Sequence, residues 1–256
     1  MDDHSPEQNG ESRKSLLDEH RPDRIEARLQ RPPHSRRMSD FVLGAIDGCV
    51  TTFAIVAGAF GAGFTEAVVL VMGFANLIAD GFSMAVSNYE AASVEREQRI
   101  EATRTERRHI ALVPEGEREE IRQIFHQKGF TGEVLENVVS TITANRQLWI
   151  DTMLAEEYGI SRARHNPLSA ALMTFTAFVC VGAIPLLPYL FQGLNTTEQF
   201  YSSAVLSACA FFAIGLAKGL VSSRHTLVAA IKTLIFGSCA AALALAVGYL
   251  LRHFVV

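Results

Sequence analysis

The sequence predicts an all-α fold: a polytopic membrane protein with five transmembrane helices and a cytosolic helical insert between the second and third. Three observations carry this. Five long stretches, about 41–62, 67–89, 168–191, 200–221 and 226–250, are nearly free of charge, and a helix of about 20 apolar residues crosses the ~30 Å hydrocarbon layer. Helices buried in a soluble core keep a polar face, and these mostly lack one. Charge is also segregated: residues 90–166 hold 11 Lys/Arg and 14 Asp/Glu, half of the chain's charged residues. Finally, basic residues alternate between loops. GAGFTE (61–66) and QGLNTTEQ (192–199) have none, whereas the N-terminal tail, the insert and the turn with Lys218 and Arg224 are basic. The positive-inside rule puts those three in the cytosol.

The elements follow in order. Residues 1–37, rich in Pro, Arg and Ser, read as a mostly disordered cytosolic tail with a short helix near 21–31. The first apolar run begins only at Phe41, so no signal peptide is expected. Residues 38–89 hold the first two spans as a tight hairpin. The first contains GAIDGCVTTFAIVAGAFGAG (44–63), with Asp47 inside it. Asp47 lies ~9 Å of helix rise from the cytosolic end. Counted back from the same end of the second span, Asp80 and Met84 fall at a similar depth, one turn apart. An ionised Asp in hydrocarbon costs roughly 2.5–3.5 kcal/mol, so it usually faces a cavity or a partner. Gly44 and Gly48 bracket Asp47 at a spacing that lets another helix approach closely. The alternative is a packing motif with a neutral, hydrogen-bonded Asp. Lys232, at the start of the fifth span, is explained by snorkelling. Cys49, Cys180, Cys209 and Cys239 sit in separate apolar segments with no CxxC spacing, as small packing residues do; Cys49 is the best placed of them for a metal.

The insert, residues 90–166, reads as mostly helical. YEAASVEREQRIEATRTERRHIAL continues the second span out of the membrane as far as Pro114. EREEIRQIFHQKG forms a second helix, EVLENVVSTITANR a third with Thr131 as N-cap, and QLWIDTMLAEEYG a fourth. Within them Glu106 and His109, and Glu117 and Glu120, are i, i+3 neighbours, and Met153 and Glu157 are i, i+4 neighbours. Carboxylates one turn apart can chelate a divalent cation. An added thioether and imidazole tilt preference from Ca²⁺ and Mg²⁺ toward Fe²⁺, Mn²⁺, Co²⁺ or Zn²⁺. Spacing alone leaves a solvated charged face as the commoner explanation. Residues 167–256 complete the membrane domain with spans three to five.

Several motifs in this order resemble the vacuolar iron transporter family. They are IDG in the first span, GFSMAVSNYE at the exit of the second, and VPEG (113–116) within a Glu-rich insert. W-x-D-x-M in the fourth insert helix, IPLLPY (184–189) and AKG (217–219) follow. The likeness covers about 38–252. It implies a five-helix protomer that forms a homodimer and moves Fe²⁺, often with Mn²⁺, out of the cytosol against protons. It also implies a pathway at the dimer interface using Asp47 and Met84, and insert ligands at Glu106, Glu117, Glu120, Met153 and Glu157. His109 departs from the family pattern, which has a glutamate there. Asn76 stands where some members carry an acid, which leaves Asp80 as a substitute for proton coupling. Glu90 and Glu95, on the helix leaving the membrane, would guide ions between the two sites.

The metal is thus expected as substrate and insert ligand, with no prosthetic group. Membrane lipid, a second copy of the chain, metal ions and protons are the expected partners. A bacterial inner membrane is expected, with a vacuolar membrane as the alternative. No nucleophile elbow, zinc-protease helix or phosphate loop is present, so no enzyme is expected. Basic residues interleave with acids, which argues against nucleic acid. The rival function is a membrane-anchored metal sensor or scaffold without transport.

Overall fold

A computed structural model describes residues 13, 16–30, 35–160, 166–191, 193–222 and 226–254. Much of the tail expected to be disordered (1–12, 14–15 and 31–34) lies outside these residues. The described part of it is helical, with a turn of helix at 16–19 and α1 over Pro22–Gln30, where the short helix is expected.

The membrane domain begins with α2, Ser35–Ala62, which starts inside the polar lead and runs through Asp47. Gly63 (φ +75°) turns the chain in the left-handed region. Then α3, Glu66–Leu112, runs 47 residues without a break, about 70 Å of rise. It is at once the second span and the first helix of the insert. α4 (Pro114–Gln127), α5 (Gly132–Ala144) and α6 (Arg146–Glu156) complete that insert. Pro114 opens α4 at its first turn, where the missing N–H costs nothing. Thr131 stands at the N-cap of α5, but its side chain makes no capping bond. Asn145 caps α6 by accepting from the N–H groups of Gln147 and Leu148. Asn166 caps α7, Pro167–Gly182, in the same way.

The third apolar stretch is not one straight helix. α7 ends at Gly182 and a 3₁₀ segment, Ile184–Leu190, continues at a bend of 41°. Pro185 and Pro188 account for it, since neither can donate the next helical hydrogen bond. α8 (Thr196–Ser222) and α9 (Thr226–Phe254) close the domain. Among the described residues, α2, α3, α8 and α9 are each long and apolar enough to cross a membrane, and the bent pair supplies a fifth span.

α2 is the centre of the bundle, packed against α7, α9, α8 and α3. Cys49, Phe53, Val56 and Ala57 from α2 meet Val69 and Leu77 of α3, Phe178 of α7, and Phe211 of α8. Gly44 and Gly48 do permit a close approach, but to α7. A Cβ on either would overlap a backbone carbonyl oxygen, that of Thr174 or of Phe178. The helix that comes close at Gly44 and Gly48 is therefore α7 of the same chain. In the insert, Ile121, Leu135, Val139, Ile142, Trp149 and Met153 form one apolar core. Ala102 of α3 packs with Ile150 and Leu154 of α6.

Candidate metal centre

Glu106 is on α3, two turns short of its C-terminus, with its side chain buried under the insert. Glu117 faces it from the first turn of α4 and is equally buried. The Val113–Pro114 turn is what folds α4 back, so acids 11 positions apart in sequence become neighbours. His109, one turn beyond Glu106, stays half exposed, and its Nδ1 is 3.2 Å from Glu117 Oε1. These three residues each offer a ligand atom, and the atoms lie within 4.8 Å of one another.

A pair of buried carboxylates needs compensation, and only part of it is present. Tyr158 donates its hydroxyl to Glu106 Oε1 at 3.1 Å. Glu106 Oε2 and Glu117 Oε2 are buried with no hydrogen-bond partner among the described residues. Burial, with the nearby carboxylates of Glu106 and Glu120, pushes Glu117 up to about 8. Glu157 is also raised, by burial and then by Glu106 and Glu120, while His109 offsets part of this. Burial and the bond to Glu106 raise the Tyr158 phenol as well. Repelling carboxylates, two orphaned oxygens and an imidazole make an arrangement that a divalent cation would relieve.

The other predicted insert residues fall around this group in different ways. Glu120 is exposed, one turn along α4, and Glu157 is exposed at the C-terminal end of α6. Both belong electrostatically to the cluster. Met153 is fully buried in the apolar core with Ile121 and Trp149. Glu90 and Glu95 are exposed on α3 between the bundle and the cluster.

In the membrane domain Asp47 is half buried on α2, and Asp80 is exposed on α3 within electrostatic reach of it. Met84, one turn past Asp80, is partly buried against the bundle core. Thr51 donates to the Asp47 carbonyl at 2.8 Å and accepts from Asn76 at 3.4 Å. Sequence inspection did not single out Asp40, which is buried where α2, α3 and α7 meet. Asn88 donates to Asp40 Oδ1 at 2.9 Å and to Thr174 Oγ1 at 2.8 Å, and Thr174 donates to the Asp40 carbonyl. Asp40 borders the polar tail, so it reads as interfacial; the usable sign was Asn88 in the SNYE exit. Tyr158 was also missed, although it adjoins Glu157.

These features define a multi-pass helical membrane protein whose second span extends into a module with a metal-competent acid cluster. The chain belongs to the VIT family, whose sequence profile matches residues 38–249. It is 32% identical over 217 residues to vacuolar iron transporter 1 of Arabidopsis thaliana, covering 84% of this chain and 86% of that one. It is 29% identical over 236 residues to the vacuolar iron transporter of Centaurea cyanus (92% and 93% covered). The vacuolar iron transporter of Toxoplasma gondii is 30% identical over 232 residues (86% and 77% covered).

Proposed function

We propose that this protein is an iron transporter, not an enzyme, that carries Fe²⁺, and Mn²⁺ with it, out of the cytosol in exchange for protons. One observation carries the reading. Glu106 and His109 are borne on the same unbroken helix as Asp80 and Met84, with Glu117 facing them from α4, so one continuous helix runs from the metal-competent cluster to a membrane acid. The names of the relatives supply iron as the cargo.

In this account the insert faces the cytosol, as its basic neighbours require. Glu106, His109, Glu117, Glu120 and Glu157 collect metal there, with Met153 supporting from the core beneath. Glu90 and Glu95 lead toward the membrane, where Asp47 and Met84 hold the ion, contributed by both protomers of a homodimer. A carboxylate binds either a cation or a proton, and that competition is the physical basis of exchange. Asp80, close to Asp47, offers a second proton acceptor. Thioether sulfur beside carboxylate oxygen favours Fe²⁺ over Mg²⁺, which prefers oxygen and dehydrates reluctantly.

The rival is an anchored sensor that binds metal without moving it; Asp47 inside a span argues against it, because an anchor gains nothing from a costly acid. Proteoliposomes with a metal dye and a proton dye separate the two. Fe²⁺ and Mn²⁺ are expected to enter with opposite proton movement and Ca²⁺ to be excluded. Metal binding with no flux of either ion supports the sensor instead.

A further inference from the structure

The end of the bundle away from the insert holds a polar pair that the insert and Asp47 leave unexplained. Gln199, in the first turn of α8, is 1% exposed. Its Nε2 donates to Glu66 Oε2, in the first turn of α3, at 3.0 Å. That bond fixes the amide orientation and leaves Gln199 Oε1 buried with no donor among the described residues. A first-turn acid is ordinary at a helix N-terminus and accounts for Glu66 alone. It does not account for a buried amide carbonyl left unsatisfied beside it, a group that folded proteins rarely leave without a partner.

The neighbouring residues tie this end of α8 to the rest of the bundle. The adjacent Phe200 stacks on Phe60 of α2 with ring centroids 4.1 Å apart. One turn on, Ser203 donates to the Pro185 carbonyl at 2.6 Å, tying α8 to the bent third span. Glu66 itself is exposed, so the pair opens to the far side while its amide end is sealed. Glu66, Gly73 and Asp80 recur every seven residues on one face of α3. That places Glu66 about 21 Å of helix rise beyond Asp80, toward the far side.

We propose that Glu66 and Gln199 form a divalent-cation site at the far mouth of the pathway, where the carried ion pauses before release. This rests on the transport reading above. The carboxylate of Glu66 and Oε1 of Gln199 supply two oxygens, and water completes the shell. Hard oxygen donors with no sulfur hold Fe²⁺ or Mn²⁺ less selectively than a site that includes Met84. An ion leaving Asp47 thus meets a weaker site with one solvent-exposed ligand, Glu66, which favours discharge.

Equilibrium dialysis of the purified full-length protein against Mn²⁺ tests the site without requiring transport. Glu66→Gln and Gln199→Met are each expected to bind one Mn²⁺ fewer per protomer than wild type, while Glu66→Asp retains it. Gln199→Met keeps the buried volume and guards against misfolding. In proteoliposomes loaded with Mn²⁺, Glu66→Gln is expected to lose the inhibition that internal metal exerts on inward flux, with turnover down about tenfold. The half-saturating Mn²⁺ on the insert side stays unchanged. Unaltered stoichiometry in both variants overturns the site. A wild type that binds this ion yet carries none sinks the transport reading and leaves the site standing.

Discussion

At the residue scale, Glu117 has the most direct chemical consequence. Burial and the carboxylates of Glu106 and Glu120 raise it from 4.5 to about 8. Between those values the folded, metal-free chain holds a proton that the unfolded chain has released. Stability is therefore lost as pH rises through this window, and Glu157, also raised, adds in the same direction. Trp149, the chain's single tryptophan, lies in the insert core and reports unfolding of the insert. Its fluorescence midpoint, taken metal-free, is expected to fall as pH rises from about 4.5 to about 8. Glu117→Gln should flatten that dependence and raise the midpoint at the alkaline end; a Gln variant with the wild-type slope contradicts the assignment. The Glu106–His109 and Glu117–Glu120 pairs were legible as i, i+3 spacings because both members of each lie on one helix. That Glu106 and Glu117 face each other across the Val113–Pro114 turn was not, since spacing does not say how two helices fold together.

At the element scale, the controlling features are an unbroken α3 and a close α2–α7 contact. The first was legible: apolar sequence passes into charged helical sequence with no Gly or Pro from Ser83 to Val113. The second was legible only by half. GxxxG announces that some helix comes close, but the sequence does not name it; the partner is α7 of the same chain. The bend after Gly182 was hidden because IPLLPY is as apolar as the span it follows. Gly48→Ala tests the contact. Its methyl would overlap the Phe178 carbonyl oxygen, so a loss of about 1–3 kcal/mol is expected from overpacking. Thermal stability in detergent, followed by size-exclusion chromatography, measures it; an unchanged midpoint contradicts the packing.

At the scale of the whole molecule, α3 joins a metal-competent cluster outside the spans to a pair of acids within them. The number of spans, the position of the insert and most candidate ligands could be read from charge segregation and from resemblance. The Asp40–Asn88–Thr174 network and the Glu66–Gln199 pair could not, because each depends on contacts between helices far apart in sequence. The central claim is that cation and proton compete for Asp47. Fe²⁺ and H⁺ flux, recorded together in the same proteoliposomes for wild type and Asp47→Asn, tests it most directly. Asn keeps the shape and removes the charge, so both fluxes are expected to vanish while the protein elutes as wild type and its insert still binds metal. Undiminished coupled flux in Asp47→Asn contradicts the account.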